Sequence, residues 1–228
     1  MKIDIISDTV CPWCFIGKRR LERALSMRPD IDARITWHPF QLNPDMPAEG
    51  IERDLYLSLK FGGAARAKEL YRVVGEAGAS EDLDFNFEAI KRTPNSLNSH
   101  RLVNYSGAHG AQAAQDAVVE NLFRAYFFHG ADIGDTERLI SIAETSGLDP
   151  AEVREYLESD RDLDLIRGQD THARQIGVTG VPCFIVADGY AISGAQEPEV
   201  FLQVFAAADQ GVEDADAVTA EAASVEPS

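Results

Sequence analysis

Cys11 and Cys14 lie either side of Pro12 and Trp13 in the stretch SDTVCPWCFIGKRRLERAL, where an apolar start gives way to a basic helical pattern. A cysteine at the first turn of a helix meets unsatisfied backbone N–H groups and the positive end of the helix dipole. Both favour a thiolate, the nucleophilic form of sulfur. Cys11 holds that place and is expected to face solvent there. Cys14, one turn further in, is placed to attack a mixed disulfide formed on Cys11, as a resolving thiol. Pro12 costs the helix little at its first position, where its missing N–H would be unpaired anyway. Trp13 adds apolar cover and no charge. Two other readings compete. A structural zinc site needs four ligands, and only Cys183 remains among the cysteines, with no second C-x-x-C and no close His-x3-His. Inert core cysteines are the other. A C-x-x-C beside a strand–helix–strand pattern favours a redox pair.

The elements that must hold these sulfurs are legible by period. Ile3, Ile5 and Ile6 predict a first strand, and Phe15, Ile16, Leu21 and Leu25 predict a helix from Cys11. A second strand is expected over residues 33–40, ended by Pro39, Pro44 and Pro47. Helical patterns follow over 51–61, 64–77, 96–107 and 111–129, and about seven helices are expected between 50 and 175. Gly130 and Gly147 read as helix stops. Asp149-Pro150-Ala151-Glu152 combines an N-cap, a first-turn proline and a capping-box acid. Residues 181–187 and 190–193 read as a hairpin turning at Asp188-Gly189, and 198–208 as a last helix. Without the long helical stretch, a compact α/β unit remains, and the insert is expected to pack beside it as a lid.

The chain of 228 residues is 45% apolar, enough for a sizeable core. Its net charge is −17, of which five charges lie in residues 211–228, leaving −12 for the body. Such acidity opposes binding to nucleic acid or anionic membrane. MKIDIISDTV carries two aspartates and lacks the pattern of a signal peptide, so a cytoplasmic protein is expected, where structural disulfides are rare.

A second half of the site is expected in GVTGVPCFIV, residues 177–186. A proline ahead of a core strand cannot donate to the ladder. A cis Val181–Pro182 bond would leave the Val181 backbone free to pair with an extended substrate. On frequency alone, an ordinary trans proline is the simpler reading.

Together, SDTVCPWCFIG, WHPFQLNP, TPNSLNSHRLVNYS and GVTGVPCF, in this order over residues 1 to about 210, resemble the DsbA family, and within it the cytosolic FrnE-like branch. The resemblance implies an α/β thioredoxin fold with a large all-helical insertion, thiol–disulfide exchange with Cys11 as nucleophile and Cys14 resolving, and a cis Pro182. It divides the chain into a thioredoxin-like domain of residues 1–43 and 161–211, a helical insertion of 44–160 and a tail of 212–228 expected to be disordered. Pro12, Trp13, Val181 and Pro182 would contact the substrate, a protein or small molecule carrying a disulfide or dithiol. No bound cofactor or metal is implied, and the protein would be a monomer or a homodimer.

Two departures from the family stand out. The buried acid that such folds carry six residues before the first cysteine is Ile5 here, with Asp4 one step off on the other strand face. The pair between the cysteines is Pro-Trp rather than the Pro-His of DsbA. The loss of that cation predicts a less oxidising couple than the roughly −120 mV of DsbA.

The related 2-hydroxychromene-2-carboxylate isomerases and kappa-class glutathione transferases bind glutathione with a serine in the first cysteine's place. A glutathione-dependent isomerase or transferase is therefore the alternative function, with glutathione as co-substrate and Asn43, Asn98 and His100 as candidates to line its pocket. Helix capping or surface positions are the simpler reading of those three. A holdase-like binding protein that uses the helical lid is a third reading. Cys183, next to Pro182, reads as a small buried hydrophobe or as a third thiol able to join the exchange. His38, His109, His129 and His172 are scattered and expected at the surface. Phe123, Tyr126, Phe127 and Phe128 read as core of the insert or as an apolar peptide groove.

Overall fold

The structure, a computed structural model, describes residues 1–110 and 113–210. The expected tail lies outside the described residues. Strand β1 (Lys2–Ser7) leads through a short loop into helix α1 (Pro12–Ser26) and then β2 (Arg34–Pro39). The insertion follows: β3 (Ile51–Glu52), α2 (Arg53–Phe61), α3 (Ala64–Ala79), β4 (Arg92–Thr93), α4 (Leu97–His109), α5 (Ala114–Phe127), α6 (Thr136–Thr145) and α7 (Pro150–Glu158). Helix α8 (Leu163–Gln175), the hairpin β5 (Cys183–Val186) and β6 (Tyr190–Ser193), and α9 (Pro198–Gln210) complete the chain. Strands β3 and β4 form a two-residue antiparallel ladder that the sequence pattern did not predict. Two residues are too few to show a period of two.

The main sheet has the order β2-β1-β5-β6, with β1 parallel to β2 and antiparallel to β5. Alternation along β1 sorts its side chains. Ile3 and Ile5 enter the main core with Phe15, Phe184, Phe201 and Phe205. Ile6 faces the other way, with Phe40, Ala173 of α8 and Cys183. Helices α1 and α9 thus cover one face and α8 the other.

Helix α1 is also the seat of the insertion. Phe15 stacks on Phe123 of α5 at 5.0 Å and meets Phe85 and Phe128 at 6.1 and 5.6 Å. The aromatic residues of α5 are thus spent on core, with Phe123, Tyr126 and Phe127 buried. Beside them runs a ladder of ion pairs, from Lys18 to Asp116 and Glu120 and from Arg20 and Arg23 to Glu81. Lys18 and Glu81 are the buried ends of this ladder, and pairing at such desolvated charges fixes orientation more than it adds stability.

Two glycines are dictated by space. A Cβ on Gly17 would lie 3.0 Å from both Pro182 and Phe184, so glycine lets α1 rest on the start of β5. Gly130 has φ +64°, and a Cβ there would fall 2.2 Å from the Ala89 carbonyl oxygen. Gly130→Ala is expected to cost about 1–3 kcal/mol, by strain and lost packing, read as a lower Tm in thermal unfolding. At α7, Asp149 accepts from the Ala151 and Glu152 amides as expected, but Glu152 reaches Tyr105 instead of closing a capping box.

Candidate active site

Cys11 is the N-cap of α1 and its N–H donates to the Asp8 carbonyl at 3.0 Å. Pro12 is the first helical residue, and the Cys14 N–H closes a turn on the Cys11 carbonyl at 3.1 Å. Across the sheet, the Val181–Pro182 bond is cis. The Cys11 thiol donates to the Val181 carbonyl at 3.7 Å. Pro182 is buried, and its carbonyl accepts from Gly194 N–H at 2.8 Å. Trp13 is half-buried against the main core.

The two sulfurs are free thiols in unequal settings. Burial pushes the Cys14 thiol well above its ordinary value, and the adjoining Cys11 sulfur pushes the same way. The Ser7 hydroxyl and the Asp8 backbone amide pull against them without reversing the direction. Cys14 therefore holds its proton at neutral pH.

Exposure corrects one expectation. A helix start suggests a solvent-facing sulfur, but Cys11 is only 4% exposed. It belongs to the main buried cluster. Tyr56 of α2 and Tyr71 of α3 lie near enough for the charge on Cys11 to act on their hydroxyls. Buried Arg53 fixes the pair, donating to the Tyr71 hydroxyl at 2.6 Å with its guanidinium 5.5 Å from the Tyr56 ring. On their outer side, α2 and α3 leave Leu55, Leu59, Leu70 and Val73 exposed.

The remaining candidates are not gathered in one pocket. Asn43 donates to the Tyr56 hydroxyl at 3.4 Å and accepts from Lys60 at 3.1 Å. It lines a groove of about 380 Å³ beside α2. Asn98 accepts from Arg101 and lines a neighbouring cleft of about 680 Å³ with Gln41 and Asp170. His100 lines neither and is not at the surface. It is 4% exposed, with Nε2 3.3 Å from Oδ1 of the fully buried Asp8. Cys183 is buried on the α8 face with Ile6 and Phe40, and the cysteine pair is on the other. Burial pushes its thiol up as well.

His38 is partly exposed, as a surface position requires, but it has a partner. Its Nε2 lies 2.8 Å from Asp4 Oδ1, and Lys2 pairs with the other oxygen. Burial raises the Asp4 pKa, but His38 and Lys2 outweigh it and the net direction is down. Asp4 thus serves an ion cluster on the back of the sheet, and buried Ile5 keeps the acid's usual seat. Sequence reasoning missed Asp8 and the Thr9–Ser99 hydroxyl contact at 2.7 Å. The polar run Ser7-Asp8-Thr9 before the cysteines was the available signal.

A four-stranded mixed sheet with α1 opening at Cys11, and a helical insertion packed on that helix, define a thioredoxin fold. The description "DSBA-like thioredoxin domain" matches residues 2–206, and the chain belongs to that family. It is similar to the probable DsbA oxidoreductase of Streptomyces coelicolor, with 30% identity and a TM-score of 0.83 over 93% of this chain and 91% of that one. The uncharacterized protein YwbO of Bacillus subtilis is 29% identical over 202 residues, 87% of this chain and 92% of the relative. A 2-hydroxychromene-2-carboxylate isomerase shares the fold at 19% identity, with a TM-score of 0.66 over 95% of this chain and 98% of that one.

Proposed function

We propose that the protein is a thiol–disulfide oxidoreductase acting through Cys11 and Cys14. The observation that carries this reading is the inequality of the two sulfurs. Cys11 opens a helix and meets the Val181 carbonyl, while Cys14 sits behind it, buried and protonated. The Cys11 thiolate attacks a substrate disulfide and forms a mixed disulfide, and Cys14 then displaces the partner. Pro12, Trp13, Val181 and Pro182 border the reacting sulfur. An extended substrate takes the Val181 carbonyl once Cys11 gives it up.

The test is Cys14→Ala. The reduced variant, mixed with a disulfide substrate such as insulin or glutathione disulfide, is expected to accumulate a covalent adduct on Cys11. Intact-mass measurement detects it and a reductant releases it. Absence of the adduct, or its formation on Cys183, counts against the reading.

The glutathione-dependent isomerase or transferase is kept as the second reading, favoured by the cover over Cys11 and the groove at Asn43. A small thiol enters such a site more easily than a protein. Isomerisation or conjugation that survives Cys14→Ala would select it.

A further inference from the structure

A cleft of about 280 Å³ lies between the end of α5 and helix α6, and it uses none of the residues assigned to the cysteine site. Arg124 of α5, His129 just after it and Arg138 of α6 line it. No acidic residue does, in a chain that holds 38 acids against 21 lysines and arginines. Asn121 and Ser141 bring neutral polar groups to the same cleft, and Ala125 and Ile142 give it an apolar wall.

Structural duties do not account for these cations. The last four carbonyls of α5 already have backbone partners. Arg124 O accepts from Phe128 N–H, Ala125 O from Ala131, Tyr126 O from Gly130 and Phe127 O from Asn86, all at 2.8–3.0 Å. Arg124 and His129 are therefore not needed to cap them. Arg138 stands in the first turn of α6, where the helix dipole opposes a cation. Its backbone N–H meets Asp135, but its guanidinium has no hydrogen bond or ion pair among the described residues, and neither has the His129 ring. Arg124 is 51% exposed and 3.7 Å from a Glu120 oxygen, and that carboxylate is already engaged by Lys18 and Arg19. Its guanidinium lies 5.2 Å from the Phe128 ring, which steadies it. The acid beside Arg138 is turned elsewhere, since Glu137 pairs with Arg154 of α7.

We propose that this cleft binds the phosphate group of a small organic phosphate monoester. The site is independent of the oxidoreductase reading. Such a group carries close to two negative charges and three strong acceptor oxygens. The planar forks of two arginines match paired oxygens of this kind. The imidazole of His129 and the Ser141 hydroxyl add donors. Asn121 gives one side-chain hydrogen to Ser146 Oγ at 2.9 Å and keeps its second. The cleft is larger than a bare phosphate needs, and Ala125 and Ile142 line the space left for the organic part. The acidity of the whole chain opposes an anionic membrane surface, so the ester is a soluble one.

The full-length protein is titrated by calorimetry with phenyl phosphate, inorganic phosphate and phenol. Phenyl phosphate is expected to bind with a Kd of about 1 mM or tighter, inorganic phosphate more weakly, and phenol not at all. Arg124→Gln and Arg138→Gln are each expected to weaken phenyl phosphate at least about tenfold, through the loss of charged hydrogen bonds. Arg34→Gln removes the same charge from an exposed place on β2 and is expected to change the affinity less than about twofold. All three arginines are exposed, so the fold should tolerate each change. Vesicles containing phosphatidic acid offer the same headgroup on a membrane, and the protein is expected not to sediment with them. No binding of phenyl phosphate, or a loss as large in Arg34→Gln as in Arg138→Gln, overturns the proposal. Equal affinity for inorganic phosphate overturns the assignment to an ester, and binding to the vesicles alone overturns the assignment to a soluble one.

Discussion

Replacing Cys11 by serine is expected to lower the reduction of insulin or of a small disulfide by at least about a thousandfold, to the background of the assay, because the attacking group itself is removed. A hydroxyl keeps its proton at neutral pH and is a poor nucleophile toward sulfur. Fold and stability should change little, since serine fits the space and can still donate to the Val181 carbonyl. Cys14→Ala gives a different loss. The first attack survives, turnover stops, and the partner stays attached. Steady-state rates beside intact-mass measurement separate the two. Full activity in Cys11→Ser would end the assignment of Cys11 as nucleophile.

The largest expected loss of stability is at Arg101. Its side chain is 1% exposed. It donates to the carbonyls of Tyr156, Leu157, Ser159 and Arg161 at 2.7–3.1 Å, and to Asn98 Oδ1 at 2.9 Å. These carbonyls end α7 and start the turn into α8, where helix ends leave acceptors unpaired. Arg101→Met keeps much of the bulk but removes every donor. The expected cost is about 3–5 kcal/mol, because several acceptors are left without partners at once. For a chain of this length that corresponds to roughly 10 °C in Tm. Thermal or urea unfolding measures it. A loss below about 1 kcal/mol, the worth of a single exposed contact, would mean that water replaces the guanidinium without penalty.

What could be read in the sequence was what local rules govern. The cysteine pair at a helix start, the Asp149 cap and the Asp188-Gly189 turn each follow from neighbours a few residues away. Each appears where its signal stands. Among the described residues, the seven α-helices between residues 50 and 175 follow from apolar period in the same way. The features that were not legible join distant segments. His100 meets Asp8 only because α4 docks on the loop before α1, and an isolated histidine in a polar stretch carries no sign of that. The burial of Cys11 depends on the assembled core around it, which helical period leaves open. His38 finds Asp4 because β1 and β2 are parallel neighbours, a pairing known only once the sheet is assembled.

So little of Cys11 touches water that a reagent can modify its sulfur in the folded protein only through local openings of the surrounding chain. The rate of alkylation there reads how often that neighbourhood breathes, a quantity set by packing and not by the thiol itself.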